Sequence, residues 1–314
     1  VAYGVLSSRA IVGRFYQRYE QALQSGWAKK VGWENTSNQE SETYAWLGQA
    51  PVMREWLGGR LSKQLNTNQY TIRNKLFEAT MNVNVDDKRR DKTGQIMIRT
   101  GDLAARTAEH WEKLLTDLII ANGLCYDGQN FFDTDHVTLS SGTLQNDLDA
   151  TDIPALNVST AAAPTATEAA KIIVGAVEYF FGYKDEQGEP INGGARRFAI
   201  MVPTNMFGSF AQATTAERLD SGNSNPALSF QAGSGLTVEV VVNPRLTTTT
   251  ELYAFRIDSE VKPFILQTEQ DVKLDVVAEG SEEEFKNRQH LYGVTALRNV
   301  GYGLWQYAMR LTTS

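Results

Sequence analysis

The sequence predicts an α+β fold, and three observations carry that reading. After Asp102, the residues Leu103, Thr107, Trp111, Leu114, Leu115, Leu118 and Ile119 recur at helical spacing and form one apolar stripe. Apolar and polar residues alternate from Ala79 to Val85, and again between Val261 and Thr313, as they do in half-buried strands. A second helical pattern begins where Thr165 and Glu168 make a capping box ahead of Ile172, Ile173, Ala176, Val177, Phe180 and Phe181. At 314 residues, with 42% hydrophobic and 21% charged side chains, the chain can bury the core of one large domain or two moderate ones.

In chain order, the first element is an amphipathic stretch in which Val12, Phe15, Tyr16, Tyr19 and Leu23 share a face. Trp27 and Trp33 then lead into a polar run from Glu34 to Glu42. Such a segment buries little by itself and must pack on something, either as a clamp on its own subunit or as an arm on a neighbour. A long hairpin is expected next, going out through Tyr70, Ile72, Phe77, Met81 and Val83 and returning after Thr93-Gly94 through Gln95–Arg99. Two strands alone are marginal in water, so their edges call for a cover, and a neighbouring subunit is one. The charges Asp86-Asp-Lys-Arg-Arg-Asp-Lys92 would lie near its turn, as a solvated turn or as intersubunit salt bridges. Asp102 then reads as the N-cap of the clearest helix, and Gly123 as its end. About twenty residues make a rod of about 30 Å.

The stretch from Asp127 to Thr165 is polar, and 144–164 reads as a connection with little regular structure. After the Thr165 helix come a turn through Asp185-Glu-Gln-Gly188, a buried strand Phe198–Val202 and a short helix from about Thr204 to Gln212. Leu219–Ser234 reads as a surface loop rich in Ser, Gly and Asn. Strands Leu236–Val242 and Leu252–Ile257 complete an α/β unit. Further strands are expected at Phe264–Leu266, Val272–Val277 and Leu291–Arg310, with Tyr292, Tyr302, Trp305 and Tyr307 in the core.

Chemistry has few footholds. Asp133-Thr-Asp-His136, with Asp127 nearby, could bind a divalent cation as in a metal-assisted hydrolase; Asp and Thr are equally ordinary turn formers. Cys125 follows the C-terminus of a helix, where the dipole disfavours a thiolate. His110 falls among Glu109 and Glu112 as a solvated residue, and His290 sits beside a charged run. There is no Walker A loop, no G-x-S-x-G and no H-E-x-x-H. Ala232-Gly-Ser-Gly-Leu236 precedes a strand, where a dinucleotide loop would need a helix. No catalytic, cofactor-binding or metal-binding residue is expected. A formal charge of −7, from 30 basic and 37 acidic residues, argues against specific nucleic-acid recognition. Lys29-Lys30, Arg89-Arg90 and Arg196-Arg197 are isolated basic pairs. No apolar run approaches the roughly 20 residues that span a bilayer, and no secretory signal is visible in Val1–Ala10. The single cysteine suits a reducing compartment.

One run carries a resemblance. Tyr-Ala-Trp-Leu-Gly-Gln-Ala-Pro-Val-Met-Arg-Glu-Trp-Leu-Gly-Gly-Arg (Tyr44 to Arg60) is followed by Tyr70-Thr-Ile-Arg-Asn-Lys-Leu-Phe-Glu-Ala-Thr, the charge knot Asp86–Lys92, a helix, and Cys125-Tyr-Asp-Gly-Gln-Asn-Phe-Phe-Asp-Thr-Asp-His136. In that order and spacing these stretches resemble the major head subunit of Mu-like phages and prophages. The chain departs from that pattern at His136-Val137, where the family usually has His-Pro.

The resemblance implies an HK97-type capsid fold, with an N-terminal arm (1–43), the start of a P-domain (44–59), an extended E-loop hairpin (60–99), a P-domain spine helix and following loops (100–160), an A-domain (161–257) and late P-domain strands (258–314). It implies a shell subunit that encloses double-stranded DNA in the virion and assembles in the host bacterial cytoplasm. Partners would be further copies in hexamers and pentamers, scaffolding, portal and decoration proteins. Packaged DNA would be touched only non-specifically, for example by Lys29 and Lys30, and no membrane is involved. Acidity suits a shell that must not adhere to its contents. Intersubunit contacts would fall on Tyr70, Ile72, Phe77 and Met81, with Lys88, Arg89, Arg90 and Asp91 setting register. An encapsulin-like compartment and a metal enzyme using Asp133, Asp135 and His136 are the alternatives.

Overall fold

The computed structural model describes residues 7–44, 69–91, 93–138, 142–185, 188–219 and 222–314. Helix α1 (Ser8–Ser25) is opened by the Ser7 hydroxyl, which accepts from Ala10 N at 3.3 Å, and it buries Ile11 and Phe15 completely. That face packs on a long central helix of the same chain, so the N-terminal segment is a clamp on its own subunit. After α2 (Ala28–Val31) and β1 (Gly32–Thr36), strand β2 (Ser41–Tyr44) pairs antiparallel with β3 (Tyr70–Arg73). The intervening 45–68, on which part of the expected hairpin falls, lie outside the described residues.

Strand β4 (Lys75–Asn84) does not turn back on itself. The Asn84 side chain accepts from Asp86 N at 2.8 Å and opens a short helix, α3 (Val85–Arg90). The expected return strand Gln95–Arg99 is instead the start of α4 (Gln95–Ala121), a 27-residue helix about 40 Å long. Asp102 therefore lies inside the helix. Its N-terminal donors are satisfied from a distance, since the Asp91 carboxylate accepts from Gln95 N at 3.1 Å and Ile96 N at 3.0 Å. At the other end Asn122, at φ 43°, closes the helix by donating its N–H to Leu118 O; Asn tolerates this left-handed turn, and Gly123 lies one residue beyond.

A small hairpin, β5 (His136–Thr138) and β6 (Gly142–Leu144), precedes β7 (Asp147–Leu148). Helix α5 (Ala166–Gly182) has the expected capping box, with Glu168 reaching Thr165 N at 2.7 Å. Then come β8 (Arg197–Val202), α6 (Phe207–Thr215) and α7 (Pro226–Ser234). The loop expected over Leu219–Ser234 is thus half helix: Asn225 caps Ala227 N at 3.0 Å, and Pro226 suits the first helical turn. Strands β9 (Thr237–Val242), β10 (Glu251–Arg256) and β11 (Phe264–Val277), helix α8 (Glu282–Asn287), and strands β12 (Gln289–Tyr302) and β13 (Ala308–Thr312) complete the chain.

The strands form two main sheets. One has the order β1-β11-β12-β4, with β4 paired to β12 from Lys75↔Arg298 to Asn84↔Gln289 and forming its outer edge. Helices α1 and α4 cover it around Phe15, Ile96, Ala104, Leu274, Tyr292 and Val294. The other has the order β7-β13-β10-β8-β9 and packs with α5 and α6 into the larger core. Strand β13 sits inside that second sheet, against β10, so the last residues leave the sheet of β11 and β12. The connection is tight. A Cβ at Gly303 would meet Lys262 O at 2.5 Å and Pro263 O at 2.9 Å, so only glycine fits there.

Candidate functional site

The residues expected to join neighbouring subunits divide by burial. Ile72 is 3% exposed and packs over Gly301, where a Cβ would lie 2.2 Å from Ile72 Cδ1. Tyr70 is half-buried against Tyr302, ring centres 6.1 Å apart. Met81 is half-buried beside the Ile11–Phe15 cluster, and Phe77 lies edge-on to His110 at 4.4 Å. Lys88 is 4% exposed: its Nζ pairs with Glu279 and lies 3.0 Å from Ser8 Oγ and 3.3 Å from His290 Nδ1. That ammonium holds the Glu279 carboxyl at about 2. Asp91 is spent on the N-terminus of α4, and the Ile96 N–H foremost lowers its carboxyl pKa. Arg89 and Arg90 are exposed; Arg89 pairs with Asp86 at 3.3 Å, and Arg90 has no ion pair among the described residues. Ile72 and Lys88 are therefore closed inside the subunit. The surface that remains is Arg89, Arg90 and the open side of β4.

Both other helix and strand histidines are less exposed than their neighbours suggested. His110 lies under Phe77 with its Nδ1 unpartnered; burial first, then Arg298, lowers it to about 4. His290 is 1% exposed, between Lys88 and Glu284, whose Oε1 is 3.2 Å from Nε2. Arg298, which no pattern or motif singles out, is buried over the Trp111 ring at 4.7 Å and donates to Thr107 O at 2.9 Å, tying β12 to α4. The basic pairs are largely neutralised: Lys29 meets Glu34 at 2.6 Å, and Glu239 takes both Lys30 (2.6 Å) and Arg197 (2.5 Å).

The expected Asp133–Asp135–His136 grouping is replaced by another. His136, fully buried, sends Nδ1 to Asp127 Oδ2 at 2.6 Å, and Cys125 donates its thiol to Asp127 Oδ1 at 2.8 Å. On the far side, His136 Nε2 is 3.2 Å from Asn146 Oδ1, and its ring stacks on Trp305 at 4.0 Å. Asn146 Nδ2 donates to the carbonyls of Phe131 and Ala308, which fixes the orientation of the amide. Asp133 is turned away, accepting from Thr134 N at 2.7 Å and Asn130 N at 3.2 Å, and Asp135 is exposed.

Chemically this is a brace. Burial foremost, then the Asp127 charge, pushes the thiol pKa up, the opposite of what a nucleophile needs. Burial also opposes the Asp127 charge, but hydrogen bonds from His136 and Cys125 outweigh it and leave that carboxyl below its ordinary value. The three ligand atoms lie within 4.8 Å of one another and could hold a metal ion, although Asp127 already accepts from both partners. No helix among the described residues is long and apolar enough to cross a membrane.

The major capsid protein of Escherichia phage Mu is 36% identical over 110 residues, which are 34% of this chain and 36% of that relative, so the match spans about a third of the relative's length. The procapsid of bacteriophage JBD30 aligns with a TM-score of 0.54 at 22% identity, over 98% of this chain and 77% of that one. A virus-like particle from Pyrococcus furiosus aligns with a TM-score of 0.53 at 11% identity, over 95% of this chain and 98% of that one. The fold is thus the expected α+β fold of HK97-type capsid proteins. The model of the family described as "Mu-like prophage major head subunit gpT" matches residues 8–161 and 229–313, which is most of the sequence, and the chain belongs to that family.

Proposed function

We propose that the protein is a major capsid protein that self-assembles into the icosahedral head shell enclosing phage double-stranded DNA. The observation that carries this reading is the family match over both ends of the chain, from the α1 clamp to β13. The shell fold of the solved neighbours supports it. In this reading α4 is the spine of a peripheral domain with β1, β4, β11 and β12, and the five-stranded sheet with α5 and α6 is the axial domain. Copies join as hexamers and pentamers through Arg89, Arg90 and the open side of β4. Scaffolding, portal and decoration proteins are the further partners, and the virion is the destination. A formal charge of −7, with Lys29 and Lys30 already paired to acids, suits a wall that does not grip its contents.

A second reading is the encapsulin-like compartment, a closed shell that would take protein as cargo; the likeness to the Pyrococcus furiosus virus-like particle supports the shared fold. Negative-stain electron microscopy of the expressed chain, alone and with its scaffold, tests both. Shells, tubes or capsomer rings are expected, and nucleic acid against protein in purified particles separates the two cargoes. Uniform small monomers under every condition would defeat the shell reading.

A further inference from the structure

We propose that the α8 tip of one copy is a knob whose Phe285 seats in the groove between β4 and the start of α4 of a second copy. This contact rests on the shell reading above and names one surface through which copies join. Phe285 is 89% exposed, more than any other large apolar side chain among the described residues. It stands on the short helix that joins β11 to β12, so the hairpin carries it away from the core. Three glutamates precede it. Glu282 pairs with Lys286, and Glu284 turns back to Gly280 N and His290. Glu283 meets only the Asn287 amide, at 2.7 Å, and no cation among the described residues, so its charge faces outward.

The groove has a volume of about 430 Å³. Met81, Val83 and Ile96 supply apolar lining, and Arg90 and Arg99 stand on it, both exposed and neither ion-paired among the described residues. Of the two acids there, Asp91 is committed to the N–H groups of α4, which leaves Asp87 against two arginines. An exposed aromatic beside one outward-facing carboxylate thus has its counterpart in a mixed groove, where Met81, Val83 and Ile96 lie among polar side chains and two arginines without ion pairs among the described residues. The knob does not fill the groove of its own chain, although Arg288, just after α8, reaches Asp86 at 3.0 Å and places both features at one end of the subunit. Two different patches meeting between copies make a head-to-tail contact, which closes into a ring when the rotation permits.

The test uses the full chain as wild type, as Phe285→Ala, as Arg90→Glu with Arg99→Glu, and as Arg90→Glu combined with Glu283→Arg. Assembly is read by sedimentation and electron microscopy, and folding by thermal unfolding. Phe285, Arg90 and Arg99 are exposed, so unfolding should be unchanged in each variant. Particle yield should fall about tenfold or more for the Phe285 variant and the double reversal, as for loss of an interface anchor. It should recover in the charge swap. Wild-type yield from both loss variants would overturn the contact and leave the shell reading standing. Loss at both sites without recovery in the swap would overturn the pairing between them. A wild type that never associates would overturn the shell reading and this contact with it.

Discussion

His136 Nδ1 lies 2.6 Å from Asp127 Oδ2, and the opposite oxygen of that carboxylate takes the Cys125 thiol at 2.8 Å. One carboxylate therefore satisfies two buried donors from the turn after α4 and from β5. Asp127→Ala would strip both of their acceptor while leaving His136 fully buried. Each buried donor left without its acceptor costs about 1–3 kcal/mol, so the two together should cost about 3 kcal/mol. Cys125→Ala removes a weak donor only and should cost about 1 kcal/mol. Urea unfolding of the two variants checks the order; an equal loss in both would mean that Asp127 does not hold the ring.

The Lys88–Glu279 pair makes a pH prediction. Glu279 is held at about 2 against an ordinary 4.5, mainly by the Lys88 ammonium. A carboxylate whose folded value is depressed contributes stability that is complete above about 4.5 and is lost as the pH falls through about 2. The Glu279 side chain is 55% exposed, so solvent screening trims the contribution to about 1 kcal/mol. Lys88→Met should lack this part of the acid slope. Urea midpoints measured from pH 5 to pH 2 should converge for the two proteins at the acid end. Parallel profiles would show that the pair contributes nothing.

What the sequence revealed depended on how local the deciding partner was. The capping box of α5 was legible because Thr165 and Glu168 are three residues apart and serve each other. The start of α4 was not, because Gln95-Ile-Met-Ile-Arg99 reads as well in a strand as in a helix. The choice was made by Asp91, four residues upstream, whose carboxylate supplies the missing acceptor. Asp127 and His136 stood out as neighbouring polar residues, but Asn146 and Trp305, which complete the brace, come from distant positions. Alternation in the last strand showed which residues are buried and said nothing of which sheet would receive β13. Phe285 lies within the charged run beside His290, and that run alone does not show that the β11–β12 hairpin turns the ring outward.

Gly303 joins the two sheets at the point where β12 ends and the chain crosses toward β13. Its N–H donates to Pro263 O at 2.7 Å, and an added Cβ would strike backbone oxygens of Lys262 and Pro263. Backbone cannot move aside as the end of a side chain can, so Gly303→Ala should cost about 2–3 kcal/mol. Gly13→Ala, in α1 with open space around its Cβ, is the control and should stabilise by about 0.5–1 kcal/mol. Thermal unfolding of both, with midpoints moving in opposite directions, is the expected result; a neutral Gly303→Ala would refute the close crossing.

Phe77 is the lid over His110, their rings 4.4 Å apart. Burial is the largest reason that the imidazole sits at about 4, with Arg298 and Lys113 adding to it. A histidine depressed in the folded state is neutral where the unfolded chain already binds a proton. Stability therefore falls as the pH drops from about 6.5 towards 4 and changes no further, from this group, below it. Phe77→Ala would let water reach the ring while leaving both cations in place, so the titration should rise part of the way towards the ordinary value of about 6.5. The His110 ring signals in a proton NMR titration measure this directly, with His110→Gln assigning them. A midpoint still near 4 in Phe77→Ala would make the two cations, not burial, the source of the shift.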